Sequence, residues 1–384
     1  MSDPRAPVGP LHGIRVLEVA ALGPGPFAAM MLADMGAEVL RLDRVRATGG
    51  FGQSEFDVLG RGRRSAAVDL KHPQGVGLVL RLVERADVLI EGFRPGVMER
   101  LGLGPDDVRA RNPALVYGRM TGYGQTGPMS QRAGHDINYI ALSGTLAAIG
   151  RHGQPPTPPL NLVGDFGGGG MLLAFGLLAA LVERQTSGRG QVVDAAMVDG
   201  AALLAAPING AHQTGFWTET GTNLLDSGAH FYDVYQTADG KYVSIGAIEP
   251  HFYAELLQRL GLEAEPLPAQ MDRESWPEMK RRFAEIFAGR TREEWCEVFG
   301  ESDACFAPVL DFDEAAEHPH NRLRETFVRL GPVRHPAPAP RFDRTPPAIA
   351  GPPPTSGQHT DTALADWGIE ASEVDALRKL GAVA

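Results

Sequence analysis

"GIRVLEVAALGPGPFAAMMLADMGAEVLRLDR", residues 13–44, decides the fold. GIRVLEVA (13–20) reads as a buried strand, LGPGP turns the chain, FAAMMLADMG (27–36) reads as a short helix, and AEVLRLDR (37–44) as a second strand. Together they make a βαβ unit. Working outward, the alternation continues. SAAVDL (65–70) reads as a strand, HPQGVGLVLRLVERA (72–86) as a helix with proline in its first turn, DVLIEGF (87–93) as a strand, PDDVRARN (105–112) as a short helix and ALVYGRMTG (114–122) as a strand. Strands alternating with helices predict an α/β fold with a Rossmann-like parallel sheet.

Two helices are expected next, over 136–149 and 167–186, joined by the proline-rich QPPTPPL (154–160), and then a strand leading into a helix in GQVVDAAMVDG (190–200). The character changes from about residue 225. HFYDVYQTADGKYVSIGAI (230–248) is a hairpin built around Ala-Asp-Gly, and amphipathic helices follow near 250–262, 274–289 and 292–301. The expected organisation is a large domain over 1–200, a helical linker over 201–224 and a smaller α+β domain over 225–329. Residues 332–354 hold nine prolines and read as an extended connector, and the tail from His359 returns to short helices.

The composition is that of an ordinary globular chain: 384 residues, 43% hydrophobic and 22% charged. A net charge of −11 argues against nucleic acid or an anionic membrane as partner, while leaving room for a small anion in a local basic pocket. The longest apolar run, MLLAFGLLAALV from Met171, is too short to span a bilayer, and the N-terminal MSDPRAPVGP lacks an apolar signal core. Two cysteines, Cys296 and Cys305, stand outside any metal-binding spacing and suit a reducing, cytoplasmic setting.

GPGPFA (23–28) fits the G-x-G-x-x-A dinucleotide fingerprint, with Asp43 at the distance expected for a ribose-binding acid. Pro24 and Pro26, however, remove backbone donors from the turn that would hold a pyrophosphate, which favours a plain strand-to-helix turn. Basic residues gather where successive strands end: Arg44, then Arg61, Arg63, Arg64 and Lys71, then Arg94 and Arg100. One sheet edge carrying arginines suits phosphates, though solvated loop arginines would give the same spacing.

Two helix mouths carry the most suggestive chemistry. In AGHDINYIALSG (133–144), His135 and Asp136 precede an apolar segment; adjacent helical positions do not face each other, so Asp136 needs a partner of its own. In NLVGDFGGGGMLLAFG (161–176), Asp165 stands alone ahead of Gly167–Gly170, either as an N-cap or beside backbone donors able to hold an oxyanion. His135 is a better candidate than the histidines of HPH (318–320). Glu249, in GAIEPHFY, ends a hairpin strand just before a helix.

These blocks, with DVLIEGFRPGVMERLGLGP, GYGQTGP, SDACFAPVL and PAPRF, closely resemble the α-methylacyl-CoA racemases of the family III (CaiB/BaiF-type) CoA-transferase superfamily, over nearly the whole chain. The resemblance implies interconversion of (R)- and (S)-2-methylacyl-CoA thioesters through an enolate. His135 and Asp165 are the implied catalytic pair, and Asp136 and Glu249 the supporting acids. It implies coenzyme A contacts at Arg44, Val68, Asp69, Leu70, Lys71, Gly92, Phe93, Arg94, Arg100 and the run Gly134, His135, Asp136, Ile137, Asn138 and Tyr139. CoA is part of the substrate, so no cofactor and no metal are implied. The implied large domain is completed by segment 330–384, and two chains interlock as a homodimer, the small domain of one bringing Glu249 to the large domain of the other. The competing reading within the superfamily is a CoA-transferase using Asp165 as nucleophile. His135 favours the racemase. A non-catalytic acyl-CoA-binding protein would keep the arginines without needing His135, Asp165 and Glu249 together.

Overall fold

The computed structural model describes residues 9–45 and 56–384; most of the N-terminal stretch read above for a signal core lies outside them. By contacts the chain forms two compact units, one of Met1–Ser143, Leu160–Leu204 and Glu325–Ala384, the other of Gly144–Pro159 and Ala205–Arg324.

The larger unit holds the elements β1 (Arg15–Val19), α1 (Pro24–Asp34), β2 (Glu38–Asp43), β3 (Arg64–Ala67), α2 (Pro73–Val83), β4 (Val88–Glu91), α3 (Val97–Arg100), α4 (Pro105–Arg111), β5 (Val116–Thr121), α5 (Asp136–Leu142), a π-helix (Leu162–Met171), α6 (Leu172–Ser187), β6 (Val192–Ala196) and α7 (Met197–Leu204). Its six strands run in the order β3-β2-β1-β4-β5-β6, all parallel. Apolar runs fill them because both faces are covered. On one face Leu17, Leu40, Leu89 and Tyr117 pack with α2, α4 and the C-terminal residues Leu364 and Trp367. On the other, Val16, Val39, Val88 and Val116 pack with α1 and α6. The strand order reverses between β1 and β4, and the crevice beyond the carboxyl ends of those two strands is where sheets of this topology bind ligands.

The smaller unit holds α8 (Ala206–Gln213), β7 (Tyr232–Gln236), β8 (Tyr242–Gly246), α9 (Pro250–Arg259), α10 (Trp276–Phe287), α11 (Arg292–Phe299), β9 (Phe306–Val309), α12 (Phe312–Glu317) and α13 (Pro319–Leu323). Its sheet has the order β7-β8-β9 and is antiparallel. Phe231, Tyr253, Trp276, Phe283, Phe287, Trp295 and Phe299 supply an aromatic core. The stretch 144–159 belongs to this unit, where Arg151 pairs with the buried Asp233 at 2.9 Å. The expected linker is divided: α7 ends the larger unit and α8 begins the smaller one.

The chain then returns to the larger unit with β10 (Phe327–Leu330), β11 (Val333–Pro336), α14 (Thr360–Asp366) and α15 (Ala371–Lys379). The proline-rich connector is therefore a strand at its start: β11 pairs antiparallel with β10, and its alternate residues Val333 and His335 are buried. Trp367 is fully buried and its indole N–H donates to Glu38 Oε1 at 2.9 Å.

Three expectations about helices need correction. The segment 136–149 is α5 followed by a separate 3-10 turn at Leu146–Ala148. The helix expected from 167 begins at Leu162 as a π-helix and runs without a break into α6. Leu162–Ser187 is thus a 26-residue rod, long and apolar enough by composition to cross a membrane, unlike the shorter run read from sequence. One side of it, including Gly168, Gly169, Leu173, Leu177 and Leu181, is buried within the fold.

Candidate active site

The turn after β1 is the floor of the candidate site. α1 starts at Pro24, earlier than expected, with Gly23 at φ +73° before it. Proline in a first helical turn sacrifices no helical hydrogen bond, since those donors have no partner within the helix. The apparent dinucleotide fingerprint is therefore a helix start, and its first glycine lies beneath a carboxylate: a Cβ on Gly23 would stand 3.5 Å from Asp165 Oδ2.

Asp165 lies in the first turn of the π-helix rather than capping it. Leu160, at φ +58°, turns the chain into this helix, an uncommon conformation for a non-glycine residue. Asn161 follows and donates from Nδ2 to Asp165 Oδ2 at 3.0 Å. Three of the four glycines serve packing. A Cβ on Gly168 would meet Ala201 N of α7 at 2.7 Å, one on Gly169 would meet Pro24 Cβ at 3.0 Å, and one on Gly170 would meet Phe27 Cδ1 at 2.7 Å. Gly200 of α7 faces the Gly168 carbonyl just as closely. They allow backbone to approach backbone between helices. Phe27 and Phe166 close the contact with ring centroids 5.0 Å apart.

His135 is the exposed N-cap of α5, and its backbone N–H donates to Asn138 Oδ1 at 3.0 Å. Asp136 turns inward and is 5% exposed. Its Oδ2 accepts the Asp165 N–H at 2.7 Å, so the partner it needs is the first turn of the π-helix. Gly164 lies against the same carboxylate, where a Cβ would stand 2.8 Å from Asp136 Cγ. Burial first, and then the Asp165 charge, push the Asp136 carboxyl above its ordinary range; the N–H groups of Asp165 and Gly164 oppose this. One bond thus joins the two helix mouths, with His135 and Asp165 at them.

Tyr139 steadies the same turn. Its hydroxyl donates to the Gly134 carbonyl, its ring meets Tyr123 edge-on at 4.9 Å, and its backbone N–H donates to His135 O at 3.3 Å. A Cβ on Gly122, in the GYGQTGP loop, would collide with the Tyr139 ring. Burial pushes the Tyr139 hydroxyl up to about 12. Ile137 is exposed, whereas Asn138 spends its side-chain oxygen on the His135 cap.

The basic residues divide. Arg44, Lys71, Arg94 and Arg100 are exposed. Leu70, Lys71, Arg100, Pro73, Val76 and Leu101 line an open cavity of about 460 Å³. Arg61 and Arg63 are buried structural partners instead: Arg61 holds Asp34 at 2.6 Å and Arg63 lies 3.1 Å from Glu18. Arg64 pairs with Glu38 and with Asp366. Val68 is 1% exposed and bridges to Val383, and Asp69 donates its N–H to Ala382 O at 2.9 Å, so this part of the 68–71 segment carries the C-terminus. Gly92 follows β4 and approaches Ala21, where a Cβ would be 3.1 Å from Ala21 Cβ. Phe93 is half-buried. Glu249, in the smaller unit, is the exposed N-cap of α9, and its charge acts on Cys305.

Sequence reasoning missed Asn161, Gly164 and Tyr123, and read Gly23 only as part of a strand-to-helix turn. Asn161 alone had a readable signal, its spacing of four residues from Asp165.

The chain belongs to CoA-transferase family III, whose pattern matches residues 11–360. Within that family it is 51% identical over 367 residues to the α-methylacyl-CoA racemase of Mus musculus, covering 95% of each chain. It is 47% identical over 370 residues to that of Homo sapiens, again 95% of each. The crystal structure of Rv3272 from Mycobacterium tuberculosis superposes with a TM-score of 0.77 at 30% identity, over 92% of this chain and 99% of that one.

Proposed function

We propose that this chain racemises 2-methylacyl-CoA thioesters by moving the α-proton. The observation that carries the reading is the 2.7 Å bond from Asp165 N–H to Asp136 Oδ2, which fixes the turn bearing Asp165 to the helix capped by His135. Inverting a carbon through an enolate needs one group to take a proton from one face and a second to return one to the other, each alternating between acid and base. His135 and Asp165 are those groups. For one epimer His135 removes the α-proton, charge passes to the thioester oxygen, and Asp165 in its acid form protonates the opposite face; the other epimer reverses the roles. Asp136 is buried and positions the Asp165 backbone. The exposed bases Arg44, Lys71, Arg94 and Arg100 suit the phosphates of CoA, which enters as part of the substrate; no separate cofactor is required.

The proposal includes the homodimer. Met171, Phe175, Leu178 and Val182 recur at helical spacing along the outer side of the rod and are 36–71% exposed. A contiguous apolar stripe of this kind is normally covered, and a second copy is the occupant we propose, as the resemblance implies. A reducing cytoplasmic setting, with both cysteines free, completes the reading.

The test is incubation of the purified protein with one epimer of a 2-methylacyl-CoA in D₂O, without carboxylate acceptor, with the α-position followed by NMR. Deuterium entry together with loss of stereochemical purity is expected. An α-proton that stays in place, with CoA passing to an added carboxylate, would put the transferase in its stead.

A further inference from the structure

We propose that Arg119, a buried arginine of β5 with no part in proton transfer, is the positioning residue that holds the coenzyme A-binding segment 92–104 in its binding conformation. Arg119 is 6% exposed and stands in register with Glu91, the last residue of β4. Its Nε donates to Glu91 Oε1 at 2.9 Å. Its two terminal nitrogens fork onto Glu99 of α3, at 2.8 Å to Oε1 and 3.2 Å to Oε2. One guanidinium thus ties the end of a central strand to the short helix that carries Arg100, and a fork of this kind fixes orientation as well as distance.

The clamp continues on both sides. Glu91 Oε2 accepts the Phe93 N–H at 2.7 Å, which sets the chain direction just before Arg94 and removes that N–H as a donor to ligand. Two residues back on β5, on the same face, Tyr117 donates its hydroxyl to Leu103 O at 2.8 Å. Strand β5 therefore pins both ends of the segment that presents Arg94 and Arg100 to solvent. Without Arg119, two carboxylates, one of them fully buried, would lose their shared counter-charge beneath a phosphate-binding surface.

The proposal rests on the acyl-CoA reading and is tested so that the two can fail separately. The full-length protein and its Arg119→Met, Arg119→Lys and Glu99→Gln variants would be compared by calorimetric titration with CoA itself and by racemisation kinetics. Arg119→Met is expected to raise the CoA Kd and the substrate KM about 10- to 100-fold while kcat at saturation stays within about threefold. Arg119→Lys, with no fork, should fall between. Should Arg119→Met not fold, Glu99→Gln decides, because it leaves the Arg119–Glu91 pair intact; a Kd raised about three- to tenfold is expected there. Wild-type protein that binds CoA alongside variants that bind it equally tightly, or that lose kcat with Kd unchanged, would overturn the positioning role alone. Wild-type protein that binds no CoA would overturn the acyl-CoA reading as well.

Discussion

Asp136 Oδ2 accepts the backbone N–H of Asp165 at 2.7 Å across two helices, and the other oxygen of that carboxylate is buried with no hydrogen-bond partner among the described residues. The bond is local electrostatics used for placement: a carboxylate takes up a donor that the first turn of a helix leaves free. Asp136→Ala removes the acceptor and leaves that half-buried N–H without it. A charge-assisted hydrogen bond contributes about 1.5–3 kcal/mol, so kcat is expected to fall about 10- to 100-fold if the misplacement is felt in the transition state. Substrate KM should change little, since the exposed Arg44, Arg94 and Arg100 are untouched. Steady-state kinetics beside a thermal melt check this; an unchanged kcat would remove Asp136 from the machinery.

Gly164 gives an independent probe of the same bond. Its missing Cβ is where the Asp136 carboxylate lies, with Cγ 2.8 Å from the position a methyl would take. Gly164→Ala must push that carboxylate away without altering any ionisable group. Overpacking of this kind costs about 1–3 kcal/mol. Activity is expected to fall at least as far as in Asp136→Ala, and the double variant should be little worse than either single one, because both break one contact. Losses that multiply would show two separate roles.

How much of this was legible in the sequence depended on whether the signal was local. The βαβ alternation is local, and β1 to β5 fall where their apolar runs and turn residues put them. His135, Asp136 and Asp165 stood out by their odd chemistry at helix starts. What sequence could not supply was pairing across the fold. Glycines 167–170 looked like a ligand cradle because a glycine facing a ligand and a glycine facing α7 are spelled alike. Arg61 and Arg63 looked like anion binders because their buried partners, Asp34 and Glu18, lie far away in sequence. Strands β9 and β11 were missed because Pro308 and Pro336 suppress the strand signal, although proline is tolerated in edge positions.

The apolar stripe on the outer side of α6 makes a prediction about assembly. Phe175 is 71% exposed and Val182 66% exposed, so aspartate at both positions costs little in the fold of one chain. It would place two charges in the contact proposed between copies. Light scattering behind size exclusion should report twice the chain mass for the wild type and a shift toward the single-chain mass for Phe175→Asp/Val182→Asp. A wild type that runs as a monomer at micromolar concentration would sink the homodimer.

His230 sets an acid limit on the smaller unit. It is 1% exposed, lies edge-on to Phe231, Tyr253 and Phe283, and has Nε2 2.8 Å from the Tyr253 hydroxyl, while Nδ1 has no partner among the described residues. Burial, with a smaller contribution from the Lys280 charge, lowers its pKa to about 4. In the unfolded chain a histidine titrates near about 6.5. Between those values the unfolded state binds the extra proton, so stability rises with pH across the window and is lost as pH falls from about 6.5 toward 4. The loss attributable to this one side chain is about 3 kcal/mol at the acid end. His230→Gln keeps an acceptor for Tyr253 and abolishes the titration. Its melting temperature should lie below that of the wild type at pH 7.5, with the gap narrowing steadily toward pH 4.5. A gap that stays constant with pH would mean that His230 does not titrate in this window.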